Sequence, residues 1–222
     1  CKLVATANNH FKDYNLDGMK DTYESLKKHE IDWLGSGNNF KEASKTYFWK
    51  KDNLKFAIIN VTENEWSTTY DETPGCHPLD LVNVFNQIQK AKNCADFIIV
   101  IAHGGHENYE LPSPKMKKWF RFFVDAGADT VIGHHTHIIS GYELYNNAPI
   151  FYSLGNFCFD WVGFRNKPWN KGMLVRLKFE KNQPVFFELD FFNQNNKTPG
   201  VFFINKKEKE DILSHVLHLN AI

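Results

Sequence analysis

The sequence predicts an α/β chain whose first half is built of strand–helix crossovers and whose second half is built of hairpins. Three observations carry that reading. Apolar runs at residues 56–61, 96–102 and 128–132 are short and nearly continuous, as in strands buried on both faces. Stretches with helical apolar spacing stand between them, at 79–91 and 115–125. From residue 173 onward the pattern changes to alternation, with arms at 173–179 and 185–191 around a polar turn at 180–183. One domain over residues 1–222 that contains both patterns implies a mixed sheet, or two sheets face to face with helices outside. No GxGxxG or GxxxxGK[ST] follows any strand, which speaks against a doubly wound nucleotide fold.

Taken in order, residues 3–7 read as a short strand with Asn8-Asn9-His10 in the loop after it. Asp17 is the expected N-cap of a helix over 19–28, whose inner face is Met19, Thr22, Tyr23 and Leu26. A strand at 31–34 stops at Gly35-Ser36-Gly37. Residues 47–49 and 56–61 form a hairpin around Lys51-Asp52-Asn53. The polar segment 63–78 reads as a loop able to cover a site, with His77 a weak candidate for substrate contact. Pro78 opens a helix with Leu81, Val82, Phe85 and Ile88 as its inner stripe. The strand 96–102 ends in His103-Gly104-Gly105-His106-Glu107. The helix 115–125 carries Met116, Trp119, Phe120 and Phe123, and Gly127 closes it. The strand 128–132 stops at Gly133 and delivers His134-His135-Thr136-His137. A hairpin turning at Asn146-Asn147 follows, and residues 206–219 form a terminal amphipathic helix.

Composition narrows the function. The chain has 222 residues, and its 26 basic and 26 acidic side chains cancel. No basic surplus points to nucleic acid and no acidic tail to disorder. Four cysteines form no CxxC, so neither a disulfide scaffold nor a thiolate metal site is implied. Cys158, between Phe157 and Phe159, reads as a core thiol. There is no G-x-S-x-G elbow for a serine nucleophile.

What remains is a set of similar strand ends: Asn8-Asn9-His10, Asn60 with Glu63, the run from His103, and the run from Gly133. Imidazole, amide and carboxylate groups suit Zn, Mn or Fe at a hydrolytic site. His29, His215 and His218, on expected helices, read as surface or packing residues. Trp66, Trp161 and Trp169 in loops offer a different reading, an aromatic platform for carbohydrate or polymer.

The motifs together are more specific. Asn8-Asn9-His10 with Asp13 and Asp17-Gly18, His103-Gly104-Gly105 with Glu107 and Tyr109, Gly127-Ala128-Asp129, Gly133 through His137, and Tyr152-Ser153-Leu154-Gly155-Asn156-Phe157 with Phe159-Asp160 resemble the bacterial capsule synthesis protein CapA family. That family of poly-γ-glutamate synthesis proteins is similar to the calcineurin-like metallophosphoesterases. The resemblance runs from Cys1 to about residue 160.

It implies a metallophosphatase-like four-layer α/β/β/α sandwich and a dinuclear centre of divalent ions (Mn or Zn, or Fe) that activates water. By the same resemblance Asn9, His103 and His135 would ligate one ion and His137 the other. His10 would stand near the leaving group and Glu107 would face the site, while His134 would be a bystander. The family carries Trp where Gly104 stands and Pro where Thr136 stands. Its first Gly-Asp strand and its acidic bridging segment have no counterpart before Cys1, so the expected domain lacks its first strands and is a fragment of a longer chain. The implied function is a metal-dependent hydrolase of the cell envelope acting on an anionic polymer or a phosphoester, with membrane-bound capsule synthesis proteins as partners. The alternative is a non-catalytic assembly or binding protein on the same fold.

Overall fold

Parallel pairing across helical crossovers dominates the first part of the chain. The computed structural model describes residues 1–159, 167–194 and 200–220. They form two compact units, Cys1–Gly104 with Asp125–Ala128, and Gly105–Val124 with Asp129–Ile222.

In the first unit, β1 (Leu3–Ala5) pairs in parallel with β2 (Asp32–Leu34), Val4 opposite Trp33, across helix α1 (Asn15–Lys28). The helix begins two residues before Asp17, and no side chain caps Tyr14. Turns at Lys12 and Tyr14 already take up the chain's first amides, so Asp17 sits inside the first turn, where its charge favours the helix dipole.

After β3 (Ser36–Gly37) and the one-turn helix α2 (Phe40–Ala43), strands β4 (Tyr47–Lys51) and β5 (Leu54–Thr62) form the expected hairpin. Asp52 and Asn53 both have positive φ, as a two-residue primed turn requires. β5 also pairs in parallel with β7 (Phe97–His103), Thr62 opposite His103. Strands on both sides explain why β5 is buried from Phe56 to Thr62, with Asn60 and Thr62 the polar residues in an otherwise apolar run.

The segment after β5 is less open than its polarity suggested. It contains β6 (Gly75–Cys76), paired with β3, and His77 is buried. Helix α3 (Leu81–Ala91) starts at Asp80, whose side chain accepts the amide of Asn83 at 2.8 Å. It buries Val84, Ile88 and Ala91, while Val82 is 70 % exposed and Phe85 only partly covered. The expected stripe was therefore misphased: Leu81, Val84, Ile88 and Ala91 keep helical spacing, with Val82 and Phe85 on its flank.

In the second unit, helix α4 (Pro114–Ala126) carries buried Met116, Phe120 and Phe123. β8 (Thr130–His134) pairs in parallel with β10 (Ala148–Phe151), which pairs antiparallel with β9 (Tyr142–Tyr145). Asn146 and Asn147, both at positive φ, make that turn. β11 (Lys171–Lys178), β12 (Phe186–Gln194) and β13 (Val201–Phe203) form an antiparallel sheet. Ile139, Phe151, Met173, Phe191 and Val216 of helix α5 (Lys206–Asn220) close one core.

β8 runs through Gly133 rather than stopping there. A Cβ at Gly133 would lie 2.3 Å from the Tyr152 carbonyl oxygen and 2.9 Å from the Phe120 ring. This glycine serves close packing of β8, not a turn. Among the described residues, no helix is long and apolar enough to cross a membrane.

Candidate metal centre

Two groups of side chains, one in each unit, hold the residues singled out by the sequence. In the first unit the chain leaves β1 and turns at Asn8. The Asn8 amide nitrogen donates to the Thr6 carbonyl at 3.2 Å, and its Oδ1 accepts the His10 amide at 2.8 Å. The buried Ser67 hydroxyl donates to the Asn8 carbonyl at 2.7 Å, so the segment after β5 clamps this turn. Asn9 is thereby held nearly buried, with Oδ1 2.9 Å from Nε2 of His103 at the end of β7. The Glu63 amide donates to the His103 carbonyl at 2.8 Å. A Cβ at Gly104 would meet the Glu63 side chain at 2.4 Å, so a glycine here makes room for that carboxylate.

His10 is more open, 58 % exposed at the side chain, and its Nδ1 lies 2.9 Å from Asp13 Oδ2. The carboxylate can only accept, so Nδ1 carries the proton and Nε2 is left to give or take one. Asn60 belongs to the scaffold: Oδ1 accepts the Ala7 amide at 2.8 Å and Nδ2 donates to the Ile101 carbonyl at 3.2 Å. With both ends of its amide used, it is no ligand. His77 is no substrate contact either. Burial drives its pKa down to about 4, and Nδ1 donates to the Asn60 carbonyl at 3.0 Å.

In the second unit, β8 ends at His134, and two histidines beyond it take positive φ, His135 at 116° and His137 at 63°. Such angles are costly for a residue with a Cβ and gather where a site dictates the backbone. Their rings lie 6.0 Å apart between centroids. The Thr136 carbonyl accepts the Asn108 amide at 2.8 Å, tying this loop to the one carrying Glu107.

His137 is oriented by a chain of bonds. Asn156 Nδ2 donates to the Trp169 carbonyl at 3.1 Å, which turns its Oδ1 toward His137 Nδ1 at 2.8 Å. Nδ1 must then hold the proton, and Nε2 presents a lone pair, the tautomer a metal ligand needs. Trp169 stacks on the His137 ring at 4.1 Å. Glu107 Oε1 lies 3.9 Å from His137 Nε2. Burial, then the neighbouring imidazoles, depress the His134 pKa to about 4, so that ring stays neutral.

Asn9 Oδ1 can only accept, so at 2.9 Å it takes a hydrogen bond from the Nε2–H of His103. Adjacent ligands on an ion with bonds of about 2.1 Å stand roughly 3 Å apart, so this one pair has ligand spacing once the His103 proton moves to Nδ1. Among the described residues, no group of three or more His, Cys, Asp or Glu side chains forms a cluster that could hold a metal.

Asp13, Asn156 and Trp169 were not singled out as site residues by the sequence reading. Asp13 and Asn156 stood inside the quoted motifs, but nothing in a linear pattern shows that they grip His10 and His137. Trp169 is 2 % exposed against His137, which removes it from any exposed platform. Trp66 is exposed, and Trp161 and Asp160 lie outside the described residues. Cys158 is exposed rather than a core thiol, since Phe157 and Phe159 beside it also face outward. His215 has a partner, Glu110 Oε1 at 3.0 Å.

The chain is 35 % identical over 203 residues to the PGA biosynthesis protein CapA of Bacillus subtilis (strain 168), covering 89 % of this chain and 52 % of that protein. It is 35 % identical over 171 residues to the capsule biosynthesis protein CapA of Bacillus anthracis, covering 74 % and 42 %. The chain thus spans about half the length of these curated relatives.

Among solved structures, a putative 5'-nucleotidase from Staphylococcus aureus in complex with alpha-ketoglutarate matches 98 % of this chain and 42 % of its own, with a TM-score of 0.56 and 14 % identity. A hypothetical protein from Thermus thermophilus matches 86 % and 76 %, with a TM-score of 0.54 and 15 % identity. At such identities the likeness is one of fold, an α/β fold with mixed sheets. The family described as bacterial capsule synthesis protein PGA_cap matches residues 1–161, and the chain belongs to that family.

Proposed function

We propose that this chain carries the working part of a metal-dependent hydrolase of capsule or poly-γ-glutamate synthesis, acting at the cell envelope on an anionic polymer or a phosphoester. The observation that carries the reading is the 2.9 Å approach of Asn9 Oδ1 to His103 Nε2 at two strand ends. In this reading Asn9 and His103 are metal ligands of the first unit, and His135 and His137 are metal ligands of the second. A bound divalent ion supplies Lewis-acid stabilisation of developing oxyanion charge and lowers the pKa of water.

The chain's own groups do the rest. Asn8 and Ser67 hold Asn9 in place, and Asn156 keeps the His137 lone pair on Nε2. In its doubly protonated form, with Nδ1–H held by Asp13, His10 hands the Nε2 proton to the departing oxygen or nitrogen and is left as the neutral ring. Glu107, half exposed, offers its carboxylate beside His137 to take up a proton from the attacking water or to orient it. Membrane-bound capsule synthesis proteins are the proposed partners.

The test is calorimetric titration of the chain with Mn²⁺ and Zn²⁺, together with turnover of bis(p-nitrophenyl) phosphate and of γ-glutamyl-p-nitroanilide. Binding that falls tenfold or more in His103→Ala and His137→Ala, with turnover falling alongside, supports the reading. Metal affinity unchanged in both folded variants sinks it. Binding without turnover of either probe leaves the fold in the service of assembly rather than hydrolysis, and overturns the catalytic part.

A further inference from the structure

The first unit holds a cavity of about 550 Å³ that shares no residue with the candidate metal ligands. It opens between α1, β2, α2 and β4, and its size is that of a small-molecule site. Trp33 and Tyr47 supply aromatic walls, while Phe48, the next residue along β4, sends its side chain to the opposite face of the strand. Tyr23 stacks on Trp33 at 4.9 Å and sends its hydroxyl to Ser36 Oγ at 2.9 Å, which in turn meets the Thr6 hydroxyl at 2.7 Å. The Trp33 wall is therefore braced from behind. Phe48 is 55 % exposed, and among the described residues no aromatic ring packs on it.

The polar groups of the lining decide what fits. Asp32 Oδ2 accepts the Tyr47 hydroxyl at 2.7 Å, and Glu42 Oε2 accepts the Asn38 amide hydrogens at 2.8 and 2.9 Å. These bonds fix the two carboxylates and the Asn38 side chain in place. Among the described residues, Asp32 Oδ1, Glu42 Oε1 and Asn38 Oδ1 have no hydrogen bond within the chain. Lys27, whose Nζ sits 5.9 Å from the Trp33 ring centroid, and Lys45 add donors. Two cations balance two anions. An anionic ligand would face Asp32 and Glu42, and a cationic one Lys27 and Lys45. A neutral ring bearing several hydroxyls, each both donor and acceptor, can use both sets while its C–H face lies on an aromatic wall.

We propose that this cavity is a saccharide-binding site that takes a pyranose unit of a neutral glycan, with its ring against Trp33 and Tyr47 and its hydroxyls on Asp32, Asn38 and Glu42. The site stands apart from the hydrolytic reading and involves none of the loop tryptophans that the sequence pointed to.

The experiment is saturation-transfer NMR on the chain with maltotetraose, cellotetraose and N,N′-diacetylchitobiose, each to about 10 mM, where a site of about 1 mM Kd is nearly filled. At least one saccharide is expected to show transfer to its ring protons. Tyr47→Ala and Asp32→Asn are each expected to weaken it roughly tenfold. His103→Ala is expected to leave it unchanged. No transfer from any of the three probes overturns the proposal. So does binding that both cavity variants leave intact, or a γ-linked triglutamate that displaces the saccharide.

Discussion

His77 makes the acid stability of this fold calculable. Its ring is buried beside Phe40, Nδ1 donates to the Asn60 carbonyl, and Nε2 has no hydrogen-bond partner. Protonating Nε2 would bury a charge at a cost that outweighs the support from the Asn60 carbonyl and the Asp80 carboxylate, so the folded-state pKa falls from 6.5 to about 4. The unfolded chain takes up this proton near 6.5, the folded chain only near 4. Stability is therefore complete above the unfolded value and is lost as pH falls between the two. The full loss is about 3 kcal/mol, of which about 2 kcal/mol has gone by roughly pH 5.

His77→Asn keeps an amide where Nδ1 donates and cannot charge. It is expected to cost about 1–2 kcal/mol of packing at neutral pH but to remove this part of the acid loss. Urea titrations followed by tryptophan fluorescence at about pH 7.5 and pH 5 give both values. His134, also depressed to about 4, contributes to both proteins and cancels in the difference. A variant that loses as much stability on acidification as the parent chain would refute the burial argument.

Two other substitutions follow from side-chain geometry. Asn156→Leu removes the acceptor that keeps the His137 proton on Nδ1, and should weaken Zn²⁺ or Mn²⁺ binding about 10–100-fold in titration calorimetry while the chain's circular dichroism stays unchanged. Glu143→Gln disrupts the fork in which Arg121 donates to both carboxylate oxygens, at 2.9 and 2.6 Å, with the Tyr152 hydroxyl at 2.5 Å. That contact ties α4 to β9 and to the residue that follows β10, so the urea midpoint should fall by about 1–3 kcal/mol in equivalent stability, and an unchanged midpoint would show the fork to be solvated.

Much of the architecture was written in local pattern. β5 and β7 were legible because strands flanked on both sides need continuous apolar runs. The turns at Asp52-Asn53 and Asn146-Asn147 were legible because only a few residue types tolerate positive φ at both positions. The errors fell where two physical causes give the same letter. Gly133 read as a strand terminator, yet it lies within β8 because the Tyr152 backbone leaves no room for a Cβ. Val82 and Phe85 are as apolar as Val84 and Ile88, and only the seating of α3 decided which pair was covered.

The candidate site divides in the same way. The sequence by itself determined the family, and it put forward Asn9, His103, His135 and His137 with His10 and Glu107 as candidates, because these lie in short motifs at strand ends. Only the tertiary structure decided which of their atoms are presented. Asn156 sets the tautomer of His137 from 19 residues away, Asp13 orients His10, and Asn60 is consumed by the Ala7 amide from 53 residues away. The reason is directional: a hydrogen bond depends on where two atoms meet within about 3 Å, and a linear pattern records which residues exist but not which of their atoms are already engaged.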